Sequence, residues 1–119
     1  MNITINGKTY EFKAGMRFIR EINSKVQQKA NGLTENIGFE VRLLQVQQGD
    51  PEALVDILIT ANKDFEPRLT PKELEDYIEN DCEDIEGLFD QTLDFLSKSS
   101  CCRVKVKKIL ERQKQNQNQ

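Results

Sequence analysis

Polar and apolar residues alternate at the start of the chain. In the opening stretch ITINGKTYEF, Ile3 and Ile5 alternate with polar residues, and so do Tyr10 and Phe12. The dipeptide Asn-Gly lies between the two runs, and it tolerates the positive φ angles of a type I′ turn. The pattern therefore predicts an N-terminal β-hairpin.

Apolar residues then recur at helical spacing over most of the remaining chain. Asp50 precedes Pro51, and Thr70 is followed three positions later by Glu73; both arrangements start helices. The helix from Pro51 is apolar around most of its circumference, which predicts a central core helix. The predicted helices cover residues 15–30 and about 36–48, and further helices begin at residues 51, 71 and about 83.

These elements predict an α+β fold, in which an N-terminal β-hairpin is followed by a mostly α-helical domain of about five helices. Residues 1–100 are predicted to form a single domain. Residues 101–119 are predicted to be a basic, polar and partly disordered tail. Val106, Ile109 and Leu110 would align if this tail were helical, whereas its last residues, KQNQNQ, are of low complexity.

The segment 36–48 carries two apolar stripes. Ile37, Val41 and Leu44 lie on one side of the predicted helix, and Phe39, Leu43 and Val46 lie on the other. Such a helix is either enclosed in the domain or covered by a partner. The spacing of Phe39, Leu43 and Val46 suits a helix-in-groove contact, so these three are the candidate partner-binding residues. The alternative, that both stripes belong to the core, stays open.

Acidic residues cluster in ENDCEDIEGLFDQ, residues 79–91. Glu83, Glu86, Asp90 and Asp94 fall at helical spacing opposite an apolar stripe. An EF-hand loop starting at Asp81 would place isoleucine at a ligand position and glutamate where glycine is needed. The cluster is therefore interpreted as a solvated helix face, with no metal site.

Composition gives little support for catalysis or for a cofactor. The chain has no histidine, which removes the commonest general base and the Ser-His and Cys-His nucleophile pairs. Its three cysteines suit neither a disulfide framework nor a zinc site. Asp56 shares a polar strip with Glu52, Thr60 and Lys63, and an i,i+4 neighbour explains it better than a catalytic role. An enzyme is the least supported class.

Charge is distributed unevenly over a chain whose net charge is −3. Residues 73–98 hold ten acidic residues and one lysine, a net charge of −9, whereas residues 99–119 hold six basic residues and one glutamate, a net charge of +5. No apolar run is long enough to span a membrane, and no signal peptide precedes the first strand. We therefore expect a cytosolic protein with no membrane partner.

The order of segments resembles the tail assembly chaperones of long-tailed bacteriophages and prophages of Gram-positive bacteria. The resemblance rests on the hairpin INGKTYEF, the segment GDPEALVDILITAN and the acidic stretch LEDYIEND…IEGLFDQTLDFLSKS before a polar tail, and it covers roughly residues 1–110. It implies a late protein in the host cytoplasm, absent from the finished virion, that binds the tape measure protein. Such a protein keeps its partner soluble until tail tube subunits polymerise around it.

The resemblance also implies a longer form in many members, made by a translational frameshift, that recruits the tail tube protein. Lys107-Lys108 lies where such slippage is usual. A homo-oligomer stays open, and no specific nucleic acid is expected. One alternative is a small nucleic-acid-binding phage or bacterial regulator that uses the basic tail, although that tail lacks interleaved aromatic residues. Another is an acidic decoy that inhibits a host nucleic-acid-binding protein.

Overall fold

The computed structural model describes residues 1–117, apart from the side chain of residue 117. The predicted α+β fold is confirmed: a β-hairpin opens the chain, and helices make up most of the remaining residues. In the described part there are six α-helices and a second hairpin. The strands are β1 (Asn2–Ile5), β2 (Lys8–Glu11), β3 (Gln27–Ala30) and β4 (Leu33–Asn36), and the helices are α1 (Met16–Ser24), α2 (Gly38–Gln47), α3 (Pro51–Asn62), α4 (Pro71–Asp76), α5 (Ile85–Lys98) and α6 (Arg103–Gln117).

The first hairpin, β1 with β2, forms as predicted. Its turn residues Asn6 and Gly7 have φ angles of 51° and 79°, as a type I′ turn requires. The antiparallel register pairs Ile3 with Tyr10, and both side chains are buried, as is that of Ile5. The alternation seen in the sequence therefore separates a core face from a solvent face.

The structure corrects the predicted helix over residues 15–30, which is too long. Helix α1 ends at Ser24, and β3 pairs with β4 around a second Asn-Gly turn. After Val26 the segment offers Gln27, Gln28 and Lys29, which give a continued helix no apolar face to bury. The turn preference of Asn-Gly then decides the local structure.

Helix α3 lies at the centre of the core, as predicted. Leu54, Ile57 and Leu58 are fully buried. The side chain of Asp50 accepts hydrogen bonds from two backbone N–H groups of the first turn, and Thr70 and Glu73 form the predicted capping box at α4. Both helix starts therefore have the side-chain caps expected from the sequence.

A buried amide, Asn62, links three parts of the fold at the end of α3. Its Nδ2 donates to the carbonyl oxygen of Glu11 at 3.0 Å, and its Oδ1 accepts from the N–H of Leu69 at 2.7 Å. A third hydrogen bond, from the backbone N–H of Lys13 to the carbonyl oxygen of Ala61 at 2.8 Å, lies beside them. These bonds fix the first hairpin to α3 and to the segment leading into α4.

Helices α1 and α2 approach closely at Gly38. A Cβ atom there would lie 1.8 Å from the carbonyl oxygen of Ile22, so only glycine fits without a backbone shift. Next to this contact, the rings of Phe18 and Phe39 meet edge to face, with centroids 6.3 Å apart. The close approach carries one stripe of α2 into the core.

The last helix, α6, packs on the domain over the region predicted as a tail. Cys102, Val106 and Ile109 are buried, and the hydroxyl of Ser99 donates to the carbonyl oxygen of Ala14 at 2.6 Å. The helix continues through residues 114–117, which belong to the stretch predicted to be disordered, while residues 118 and 119 lie outside the described part of the chain. The three buried side chains explain this packing, because they place an apolar stripe of α6 against the core.

Candidate partner-binding surface

The three candidate partner-binding residues lie in the core. Phe39, Leu43 and Val46 are only 2%, 1% and 1% exposed, respectively. The opposite stripe of α2, which includes Val41 and Leu44, is half-buried. A partner contact through Phe39, Leu43 and Val46 stays a prediction, and it would require α2 to separate from α1.

Helix α6 presents apolar side chains on a second, outward side. Val104 is 61% exposed and Leu110 is 39% exposed, whereas Val106 and Ile109 on the same helix are buried. An open groove of about 600 Å³ runs along this outer side, beside Ser97 at the end of α5. The sequence analysis missed Val104. Val104 and Leu110 lie six positions apart along the chain, so no i,i+3, i,i+4 or i,i+7 repeat marks them as one stripe.

The groove is bordered by positive charge. Arg103, Lys107 and Lys114 line it together with Glu111. Arg112 pairs with Glu40 at 2.8 Å. It is the one cation of α6 that forms an ion pair among the described residues. We call this surface, formed by Arg103, Val104, Lys107, Leu110 and Lys114, the basic groove.

A surface of opposite charge lies on α5 and at its start. Glu83, Glu86, Asp90 and Asp94 are exposed, as the sequence analysis predicted for a solvated helix face. Within the described chain, Asp94 pairs with Lys98 at 2.9 Å, and no ion pair involves the other three. Ile85, which is 36% exposed, lies next to Glu86 along the helix. These four acidic residues are called the acidic face.

The partners of the Asp56 carboxylate are not the i,i+4 neighbour that the sequence predicted. It accepts hydrogen bonds from Lys25, which follows α1, and from Arg42 of α2, the latter at 2.8 Å. Partial burial alone would raise the pKa of Asp56, but these two hydrogen bonds outweigh burial and lower it. Thr60 is not on a polar strip either, since it is buried and donates to the carbonyl oxygen of Asp56 at 2.7 Å.

The cysteines and the possible metal ligands are the remaining side chains that could carry chemistry. All three cysteines are free thiols, and Cys102 is buried, which raises its pKa to about 11. Within residues 1–117, no three histidine, cysteine or carboxylate side chains are grouped as metal ligands. Nor does that part of the chain contain a helix long and apolar enough to cross a membrane.

Comparison with known families decides the class of protein. A family model described as phage tail assembly chaperone protein, TAC, matches residues 2–111. The chain belongs to this family. The match begins with the first hairpin and extends into α6, so the basic groove lies largely inside the tail assembly chaperone region. No curated protein matches the chain, and no solved structure matches it.

Membership in a chaperone family indicates a non-enzymatic role and places the protein in phage tail assembly. Chaperones of assembly act through surfaces that bind other proteins. Among the surfaces described above, the basic groove combines two exposed apolar side chains, Val104 and Leu110, with adjoining positive charge.

Proposed function

We propose that the chain binds the phage tape measure protein and keeps it soluble until tail tube subunits assemble around it. The family match over residues 2–111 carries the proposal. On this proposal the protein acts late in infection, in the host cytoplasm, and is not part of the mature virion.

The basic groove is the surface we propose for this contact. A tape measure protein is long and helical, so its unassembled form exposes amphipathic helices that would otherwise aggregate. Full burial of an exposed side chain of this kind contributes about 1.5–3 kcal/mol before ordering costs are subtracted. Val104 is 61% exposed and Leu110 is 39% exposed in the free chain, so each would contribute less than that. Two anchors of this size give weak, reversible binding, which suits a partner that must later be released.

Phe39, Leu43 and Val46 remain a second proposed contact, used only if the client displaces α2 from the core. Their exposure would cost the burial of three large side chains and the edge-to-face contact of Phe39 with Phe18. The two proposals differ in what the free protein must do. The groove binds without rearrangement, whereas the α2 stripe binds only after opening.

An affinity pull-down from prophage-induced cells, with bound proteins identified by mass spectrometry, tests the proposal. The expected result is enrichment of a very long, helix-rich phage protein on the tagged chain. Val104→Asp and Leu110→Asp should each reduce that enrichment at least several-fold while circular dichroism stays unchanged. Leu33→Asp is the matched control, because Leu33 is 67% exposed but lies on the second hairpin, and it should bind like the original chain.

The outcomes of the pull-down test the basic groove and the proposed function separately. Loss of the long protein from both groove variants supports groove and function together. Retention of the long protein by both variants keeps the function and rejects the groove, which leaves the α2 stripe. If no long tail protein is enriched, the proposed function is wrong.

The unpaired lysines of α6 also favour the alternative of a nucleic-acid-binding regulator. Lys105, Lys107 and Lys108 are exposed and, within the described chain, form no ion pair. Binding through such lysines would be nonspecific and would weaken steeply with salt. Nuclease treatment of the lysate before the pull-down discriminates, since it removes nucleic-acid-bridged proteins and leaves a tape measure contact intact.

The tail tube protein enters the proposal through a frameshifted longer form. Lys107 and Lys108 lie within α6, and a shift of reading frame there would replace the buried Ile109 and everything after it. We expect the longer form to carry a different end to this helix and to bind tube subunits through the added domain. Intact-mass analysis of the protein expressed from its native gene tests whether that form is made.

A further inference from the structure

We propose that the outer edge of β1 binds an extended segment of a partner protein that carries lysine or arginine, and that this segment adds to the first hairpin as a further strand. The site goes beyond the proposed function and does not rest on it, because it is built from the backbone of β1 and from the start of α5. It shares no lining residue with the basic groove, and it takes a strand where the groove takes a helix.

The register of the first hairpin decides which backbone groups of β1 are free. In an antiparallel pair, residues that exchange backbone hydrogen bonds with the opposite strand alternate with residues whose N–H and C=O groups point away from it. The N–H of Phe12 donates to the carbonyl oxygen of Met1 at 3.2 Å, so Met1 is of the first kind. Asn2 and Thr4 are therefore of the second kind, and their backbone groups form no hydrogen bond within the described residues.

The outer edge of β2, in contrast, is covered at its far end. The carbonyl oxygen of Glu11 accepts from Asn62 at 3.0 Å, and the N–H of Lys13, just past the strand, donates to Ala61 at 2.8 Å. The edge of β1 has no such cover within residues 1–117. Its exposed side chains, unlike those of the second hairpin, include no charge that would discourage strand addition. Of the two edges, the edge of β1 is therefore the one open to a further strand.

An open cleft of about 480 Å³ lies along this edge. One wall is β1, and the other is formed by the π-helical turn Tyr77–Asp81, which follows α4, and by the start of α5. A paired strand lies about 4.8 Å from its neighbour and turns alternate side chains to opposite faces. An added strand would therefore place every second side chain against the half-buried Tyr77 and the buried Leu88.

The free backbone groups require an extended partner rather than a helix. A helix uses its own N–H and C=O groups internally, so it cannot pair with Asn2 and Thr4. An extended segment has these groups free, and it gains main-chain hydrogen bonds with β1 whatever its sequence. The side chains of the segment then decide which segment is preferred.

Charge on the far wall of the cleft supplies that preference. Asp81 and Glu83 are exposed and, within the described chain, form no ion pair. The carboxylate of Asp84 is already used, because it accepts from the N–H of Gly87 at 2.8 Å and caps α5. The two remaining carboxylates beside the free edge attract lysine or arginine and disfavour acidic segments. The segment that fits is therefore extended and basic.

Peptide binding to the purified chain tests the proposal. The probe is a capped peptide of about eight residues that alternates valine and threonine between terminal lysines, and its matched comparison carries glutamate at both ends. Hydrogen exchange of single amides, measured by NMR, reports on the edge, since the N–H of Thr4 has no partner within residues 1–117 and would donate to the bound peptide. At saturating probe, exchange of this amide should slow at least about tenfold, the factor for 1.4 kcal/mol.

Two proline substitutions test the backbone pairing. Thr4→Pro removes the outward N–H of β1 without removing a hydrogen bond of the hairpin, as proline does on an edge strand. Thr9→Pro is the matched control, because Thr9 lies opposite Thr4 with its N–H pointing away from the cleft, and both variants lose the bond between the two hydroxyls at 3.0 Å. Thr4→Pro should weaken probe binding at least about tenfold, whereas Thr9→Pro should bind like the original chain. Circular dichroism confirms that both are folded.

Charge reversal tests the preference for a basic segment without altering the strand. The original chain should bind the lysine peptide at least about tenfold more tightly than the glutamate peptide at low salt, where charges are least screened. Asp81→Lys with Glu83→Lys should reverse this order. Glu75→Lys with Glu79→Lys is the matched control, since it changes the net charge by the same amount at exposed positions outside the cleft and should keep the original order.

The proposal is overturned if neither peptide slows exchange of the Thr4 amide, if the two folded proline variants bind alike, or if the glutamate peptide binds as tightly as the lysine peptide. Exchange that is already slow without peptide, and slower at higher protein concentration, would also reject it, because a second copy would then occupy the edge. None of these results bears on the proposed function, which the pull-down tests through Val104 and Leu110. Conversely, probe binding together with a pull-down that enriches no tail protein keeps the strand site and rejects the client.

Discussion

The two β-hairpins share one construction and have opposite surroundings. Each pairs four residues with four across an Asn-Gly turn, and the turn glycines Gly7 and Gly32 have nearly equal φ angles of 79° and 77°. In the first hairpin, three strand side chains are buried in the core. In the second hairpin, all eight strand residues are exposed. The same turn sequence therefore occurs in one hairpin that is part of the core and in one that lies on the surface.

The difference shows that the turn sequence and burial in the core make separate contributions to a hairpin. Asn-Gly is sufficient to direct the chain back on itself, but a two-stranded hairpin is at best marginally stable in water without further packing. At the base of the second hairpin its own ladder continues by one more bond, from the N–H of Ile37 to the carbonyl oxygen of Val26 at 2.9 Å. Its open edges carry polar and charged side chains, which discourages pairing with other strands.

The largest expected difference between the hairpins comes from truncating the apolar residue that flanks each turn. Ile5 precedes the first turn and is buried, whereas Leu33 follows the second turn and is mostly exposed. Ile5→Ala should lower the free energy of unfolding by about 2–4 kcal/mol, because it leaves a cavity in the core. Leu33→Ala should change it by no more than about 0.5 kcal/mol. Urea unfolding followed by circular dichroism measures both.

A similar loss from both substitutions would show that the second hairpin is packed in solution against something. The loss for Leu33→Ala should depend on protein concentration if that contact is a second copy, and should not depend on it if the contact is another part of the same chain. Equal and small losses would instead mean that the first hairpin contributes little to the core, contrary to the burial of Ile3, Ile5 and Tyr10.

A smaller effect is expected at the base of the second hairpin, where Lys25 binds Asp56. The pKa of Asp56 is lowered in the folded state, so its contribution to stability is present above its unfolded pKa of about 3.8 and is lost as pH falls through the folded value. Asp56→Asn should therefore cost about 1–2 kcal/mol at neutral pH, the range for a charged hydrogen bond that is partly exposed to solvent. Urea unfolding at pH 7 and at pH 3 measures it.

The direction in which the stability loss of Asp56→Asn changes with pH is the most demanding test of this prediction. The gap between the original chain and Asp56→Asn should shrink below about pH 4, because the carboxyl group is then protonated in the unfolded and, progressively, in the folded state. Lys29→Gln removes an exposed lysine of the second hairpin that forms no ion pair in the described residues, and it should show no such gap. A gap that widens in acid would exclude a stabilising role for the Asp56 carboxylate.

Sequence patterns predicted those elements whose residues both form and bury a repeating apolar face. The first hairpin, the central helix α3 and the caps at Asp50 and Thr70 are of this kind, since local spacing and core packing there point to the same structure. The second hairpin was missed because none of its strand positions is buried, so no alternation marks it. Only the Asn-Gly dipeptide was available as a signal, and the helical pattern of α1 overrode it.

The candidate surface was harder to predict for a related reason. An apolar residue in a helix looks the same in the sequence whether it faces the core or the solvent, and only packing distinguishes the buried Leu43 from the exposed Val104. The stripe of α2 is closed off by the approach of α1 at Gly38, a contact 16 residues from Ile22 along the chain that no local pattern reveals. Val104 and Leu110 on the outward side of α6 are left exposed because Val106 and Ile109 already fill the core below them.

The smallest effect on global stability is expected from the turn glycines, and it separates the hairpins most clearly. Both glycines have positive φ, and a Cβ at either position would meet no atom within 4 Å, so alanine introduces the same backbone strain at both sites without a clash. That strain is about 1 kcal/mol net. In the first hairpin, buried side chains prevent local opening, so Gly7→Ala should lower the free energy of global unfolding by about that amount.

In the second hairpin the same strain can be relieved by local opening. Gly32→Ala should leave global unfolding within about 0.5 kcal/mol of the original and should instead speed hydrogen exchange of the β3 and β4 amides by about fivefold, the factor for 1 kcal/mol. Amides of β1 and β2 in the same sample are the internal control and should not change. If Gly32→Ala instead lowered global stability as much as Gly7→Ala, the two hairpins would unfold with the core alike. The exposed hairpin would then be part of the cooperative unit, despite having no buried strand residue.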